Sequence, residues 1–226
     1  MSTRNDIIDG TKAGSRSGLV YTCHGGWIDL GHARADNAKD NLWEPLLRES
    51  GSRSKDGKGF RMRFSESHSR YGFTESFAKE YYIRYGLPKS EKESIALSIF
   101  MEVSYGFESM QNRFYYSPFT DSGFSAEDLV SDLIGFYRAV RPGPDYVTPL
   151  RPVSKAAAQK IWDEHGAVGK QKNFSFDPFL YPCSECSNSP SRPISGQLPE
   201  LLTSIKPATR GASFREWSII KDYWGF

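Results

Sequence analysis

The stretch 21–36, Tyr-Thr-Cys-His-Gly-Gly-Trp-Ile-Asp-Leu-Gly-His-Ala-Arg-Ala-Asp, holds one thiol (Cys23), two imidazoles (His24, His32), two carboxylates (Asp29, Asp36) and a guanidinium (Arg34). No other part of the chain has as many chemically capable side chains so close together. A helix starting at Asp29 would place Asp29, His32 and Asp36 at i, i+3 and i+7, on one face. His32 is then a base or a metal ligand, with a carboxylate orienting its second ring nitrogen. Arg34 points elsewhere around that helix, toward a salt bridge or a substrate. Cys23 closes an apolar run just before a glycine turn, where a nucleophile paired with His32 would sit. The plain alternatives are that Asp29 only caps the helix, His32 is a satisfied half-buried histidine and Cys23 is core packing.

A second candidate is Glu102, in Ile99-Phe100-Met101-Glu102-Val103-Ser104-Tyr105. A carboxylate on so apolar a helix needs a partner or a cleft. It is read as an acid/base group, a metal ligand or an ion-pair partner of Arg34. His32, Asp29 and Glu102 have the ligand types of a divalent metal such as Zn. Cys183 and Cys186 have CxxC spacing, but a single such pair in a proline-rich segment reads as a loop or an opportunistic disulfide before a metal site. His68 and His165 read as surface residues.

These groups need elements to position them. Gly18–Thr22 reads as a buried strand broken by Gly25-Gly26. Phe60–Phe64 alternates like a strand with Arg61 and Arg63 on one face. The spacing predicts helices capped at Thr74 (Phe77, Tyr81, Tyr85), after Ser90 (Ile95, Ile99, Val103, Phe107), after Ser125 (Leu129, Leu133, Phe136, Val140) and over 154–164. Residues 166–207 are irregular and rich in proline, with Phe174, Phe176 and Phe179 to pack them down. The 214–226 segment reads as a last strand or a docked tail.

Hydrophobic residues are 38% of the 226, with 15 Phe, 12 Tyr and 5 Trp, enough for a core. The net charge of +2, from 29 basic and 27 acidic residues, argues against a nucleic-acid binder. No run approaches a membrane span, and residues 1–17 lack the apolar region of a signal peptide. The expected location is therefore cytoplasmic, with non-classical export as the other route.

The pattern Tyr21-Thr22-Cys23-x-Gly25-Gly26-x-Ile28-Asp29-x-Gly31-His32-x-Arg34 resembles the opening signature of an uncharacterised bacterial family, domain of unknown function 4056. Glu102–Glu108, Ser117-Pro118-Phe119 and Phe124–Gly135 are similar to later blocks of that family, as are Tyr181-Pro182-Cys183 and Gly196–Pro199. The resemblance runs from about residue 18 to the end. Ala126 stands where the family pattern has proline, and Asp121-Ser122-Gly123 is inserted before the helix. Many members are exported or lipid-anchored. The resemblance carries no activity and names no catalytic residue.

The expectation is an α+β protein: a flexible segment at 1–17, then one mostly helical domain over 18–226 with a small β-sheet and a long irregular, Pro-rich C-terminal segment. The function expected first is hydrolysis, by acid–base or metal-assisted chemistry at Asp29, His32 and Glu102. The exposed-tyrosine candidates Tyr81, Tyr82, Tyr115 and Tyr116 suit a peptide or glycan substrate, such as cell-wall material; a small molecule is also open. The rivals are a Cys23–His32 hydrolase or transferase, and a non-enzymatic module with a protein partner in which Asp29, His32, Arg34 and Glu102 form a structural polar network.

Overall fold

The computed structural model describes residues 2–12, 17–70, 73–113, 124–170 and 172–224. Tyr115, Tyr116, Ser117-Pro118-Phe119 and Asp121-Ser122-Gly123 lie outside the described residues. The strands are β1 (Leu19–Thr22), β2 (Gly26–Asp29), β3 (Ser52–Arg53), β4 (Gly59–Arg70), β5 (Phe73–Arg84), β6 (Phe179–Leu180), β7 (Ile194–Ser195) and β8 (Phe214–Glu216). The helices are α1 (Asp36–Ala38), α2 (Glu44–Leu47), α3 (Lys89–Arg113), α4 (Asp128–Val140) and α5 (Lys155–His165), with a π-helical stretch, Lys39–Trp43, joining α1 to α2. The fold is α+β, as expected. The chain divides into two compact units, one of Met1–Ala35 with Glu108–Ser204, the other of Asp36–Phe107 with Ile205–Phe226.

In the first unit β1 and β2 form an antiparallel hairpin with Leu19 opposite Asp29 and Thr22 opposite Gly26. Gly26 has φ +65°, and a Cβ there would stand 2.4 Å from the Phe179 carbonyl oxygen, so only glycine fits. The core gathers Ile7, Leu19, Tyr21, Trp27, Val153, Ala158, Ile161, Val168 and Tyr181. Residues around Ile7 were expected to be flexible. Instead the Ile7 side chain is fully buried and the Ile8 N–H donates to the Leu19 carbonyl at 3.0 Å. The helix expected over 154–164 is α5, and the Ser154 side chain caps it by accepting from the Ala157 N–H at 3.2 Å.

In the second unit β3, β4, β5 and β8 make an antiparallel sheet in that order. Phe60, Met62 and Phe64 alternate into its core from β4. The segment expected to be a helix capped at Thr74 is the strand β5, paired with β4 from Arg84–Gly59 to Phe73–Arg70. Phe77, Tyr81 and Tyr85 recur every four residues, which suits both a helix face and alternate positions of one strand face. The twelve-residue pairing with β4 decides between them. Ile95, Ile99 and Val103 of α3 are buried as their spacing predicts. Among the described residues no helix is long and apolar enough to cross a membrane.

Candidate functional site

The expected helix from Asp29 does not form. Asp29 ends β2, residues 30–33 make a turn, and helix begins only at Asp36. Asp29 does cap, but it caps a single turn. Its Oδ1 accepts from the N–H groups of Gly31 (2.7 Å) and His32 (3.3 Å), and its carbonyl accepts from the Ala33 N–H at 2.9 Å. The turn ends there, so Asp29, His32 and Asp36 do not share a helical face. Asp36 begins the second unit.

What positions His32 is α4. The Asp29 N–H donates to Ser131 Oγ at 2.9 Å, and Arg138 Nη1 donates to the Ala33 carbonyl at 2.6 Å. Between them sits Gly135, where a Cβ would lie 2.5 Å from the Arg34 carbonyl oxygen and 3.2 Å from that of His32. Residues 131, 135 and 138 fall on one helical face. The absent side chain at 135 lets the turn lie directly against it. Arg34 is exposed and meets α4 through its backbone.

The same helix supplies the carboxylates that face the imidazole. His32 Nδ1 is 3.7 Å from Asp132 Oδ1 and 3.9 Å from Asp128 Oδ1. Asp128 and Asp132 are four residues apart, one turn of α4. The imidazole is 44% exposed, whereas the Asp128 side chain is only 10% exposed. Burial pushes the Asp128 carboxyl up to about 6, against the pull of His32 and of the Ser125 N–H that it accepts at 2.9 Å. Glu127 is buried beside it and its Oε2 has no hydrogen-bond partner. Burial, and then the neighbouring Asp128, raise the Glu127 carboxyl well above the carboxylate range. A half-exposed imidazole with a carboxylate at its inner nitrogen can take a proton at its outer one.

Glu102 is placed in the second unit, where its charge is already matched. Its carboxylate accepts from Lys79 Nζ, from Tyr81 Oη at 3.2 Å and from Arg210 Nη2 at 2.6 and 2.7 Å. Burial works to raise this carboxyl, but the Lys79 and Arg210 hydrogen bonds and charges hold it below its ordinary range. Its cationic partners are Lys79 and Arg210, not the expected Arg34.

Cys23 is not a free nucleophile. It forms a disulfide with Cys186, which joins the tip of the β1–β2 hairpin to the proline-rich segment, and the buried Cys183 is the free cysteine. A sulfur held in a disulfide has no thiolate to offer. Among the described residues no three His, Cys, Asp or Glu side chains form a group that could hold a metal ion. In the expected metal set of His32, Asp29 and Glu102, two members are occupied: Asp29 by backbone amides and Glu102 by cations. His68 lies in β4. His165 closes α5 with its ring centroid 5.0 Å from that of Tyr181 and its Nε2 buried without a partner, so it is not the surface residue expected.

Asp128 and Asp132 were not among the residues singled out from the sequence. The signal was there: two aspartates four apart on a helix whose other residues from Leu129 to Val140 are mostly apolar. No protein-family model, curated protein or solved structure matches the chain.

Proposed function

We propose that the chain is a hydrolase in which His32 is the general base and acid, with Asp132 and Asp128 orienting its ring and stabilising the imidazolium. The observation that carries this reading is the half-exposed imidazole whose Nδ1 faces two carboxylates from successive turns of one helix. At 3.7 and 3.9 Å the two carboxylates act on Nδ1 through their charge, which favours the tautomer that leaves Nε2 to accept a proton from water or from a substrate hydroxyl. The proposed setting is an oxidising compartment; the peptide or glycan substrate expected from a tyrosine-rich surface loses the support of Tyr81 and Tyr82, which are buried rather than exposed. The Cys23–Cys186 disulfide supports the setting, because such bonds persist outside the reducing cytoplasm. Kinship with domain of unknown function 4056 belongs to the same proposal and rests on the motif spacing at 21–34 and 102–108.

The test is hydrolysis of a panel of cell-wall glycans, peptides and simple esters by wild type and His32→Ala, with circular dichroism to confirm the fold of both. The reading predicts turnover by wild type on at least one class and loss of it in the variant. Equal turnover by both proteins, or none on any class, would count against it.

A second reading is a binding or interaction module whose polar network is purely structural. It is favoured by Asp29 and Glu102, which are committed to backbone amides and to cations. Under that reading His32→Ala changes binding or stability and no rate.

A further inference from the structure

Residues 183–189 fold as two linked turns. The Cys186 N–H donates to the Cys183 carbonyl at 3.2 Å, and the Ser189 N–H to the Cys186 carbonyl at 3.2 Å. The Cys183 N–H donates in turn to Ser189 Oγ at 2.7 Å. Glu185 ties this segment to the start of α5, accepting from the Ser154 N–H at 2.9 Å and from Ser154 Oγ at 2.5 Å. A turn closed between residues i and i+3 holds their Cα atoms within about 7 Å, close to the span a disulfide bridges. Cys183 therefore sits within disulfide reach of Cys186, which is bonded to Cys23.

All three sulfurs belong to one place. Cys183 is part of the buried core cluster of the first unit, and Cys23 and Cys186 pack against that cluster. A cavity of about 430 Å³ is lined by both Cys183 and Cys186, with Lys160 and Glu164 of α5 and the hydroxyl residues Ser184 and Ser189. The cavity gives solvent and small reagents a route to the free thiol and to the disulfide beside it.

We propose that Cys183 is a thiol–disulfide exchange site that moves the bridge from Cys23–Cys186 to Cys183–Cys186. Cys183 gives up its proton and its thiolate attacks Cys186 Sγ. The Cys183–Cys186 bond forms as the Cys186–Cys23 bond breaks, and Cys23 leaves as a thiolate that takes up a proton. One disulfide and one thiol are present before and after, so no oxidant or reductant enters. The exchange frees the thiol of Cys23 at the tip of the β1–β2 hairpin and uncouples that tip from the proline-rich segment. This inference does not depend on the hydrolytic role of His32.

The test is slow alkylation of the native, unreduced protein with iodoacetamide at mildly alkaline pH, followed by acid quench and peptide mapping of disulfides and labels. The expected result is label on Cys23 together with a Cys183–Cys186 disulfide in the same molecules, increasing with time. In Cys183→Ser the Cys23 label is expected to be lost while Cys23–Cys186 stays intact. Label confined to Cys183 in wild type, however long the incubation, overturns the proposal. So does Cys23 labelling that persists in Cys183→Ser, which would mean that the bridge opens without Cys183. If Cys183→Ser does not fold, Cys183→Ala takes its place, and the wild-type map decides by itself.

Discussion

The backbone N–H of Asp29 donates to the hydroxyl of Ser131 at 2.9 Å, so the end of β2 and the first turn of α4 share one hydrogen bond. Ser131 is fully buried, and its hydroxyl donates in turn to the Glu127 carbonyl at 2.5 Å. This link fixes where His32 stands relative to Asp128 and Asp132. Ser131→Ala removes the acceptor and leaves the Asp29 N–H without its partner. The expected loss is about 1–2 kcal/mol, read as a lower urea midpoint at unchanged m-value.

Gly135→Ala should also destabilise, against the general preference of helices for alanine. Helix propensity favours alanine by about 1 kcal/mol. Here the added methyl would stand 2.5 Å from the Arg34 carbonyl, and overpacking of this kind costs about 1–3 kcal/mol. A drop in melting temperature supports the close approach of the turn to α4, and a rise contradicts it.

Asp128 gives a pH dependence with a defined sign. Its folded-state carboxyl is raised from 3.8 to about 6, so the folded state holds the proton more tightly than the unfolded chain does. The stability it contributes is fully present below about 3.8 and is lost as pH rises through about 6. Asp128→Asn stays neutral and escapes that loss. The variant should gain on wild type between those values, reach an advantage of about 1–3 kcal/mol above them, and converge with wild type in acid. Urea unfolding across this range reads the difference.

Glu102→Gln separates the two carboxylate sets. It removes the nearer counter-charge of Lys79 and Arg210, which keep Glu216 at 3.8 Å; the group is partly solvated and such pairs contribute about 1 kcal/mol or less. Stability should fall slightly, and any rate that depends on His32 should stay at the wild-type value. A collapse in rate with the fold intact would restore Glu102 to the site.

Several elements were legible in the sequence. α3, α4 and α5 announce themselves by apolar spacing, and β1 by its apolar run before Gly25-Gly26. The turn at 29–34 was not legible, because an aspartate that caps one turn looks the same in sequence as one that caps a helix. The turn is held against α4 by the acceptor on Ser131, the bare backbone at Gly135 and the donor on Arg138, which takes up the Ala33 carbonyl that a longer helix would use. β5 was read as a helix because its pairing with β4 is a tertiary event. Cys23 stays open in the sequence between a nucleophile and core packing, because spacing alone does not say which cysteines pair. The histidine of the site was visible for its neighbours in the chain, whereas the carboxylates that face it arrive from a hundred residues away.

The central claim is that His32 and Asp132 work as one unit, and a double-mutant cycle on the hydrolysis rate tests it most directly. His32→Ala should lower the rate by about 10²–10⁴-fold, Asp132→Asn by less, and the double variant no further than His32→Ala alone. Losses that multiply in the double variant, or a His32→Ala protein that keeps the wild-type rate, would contradict the account.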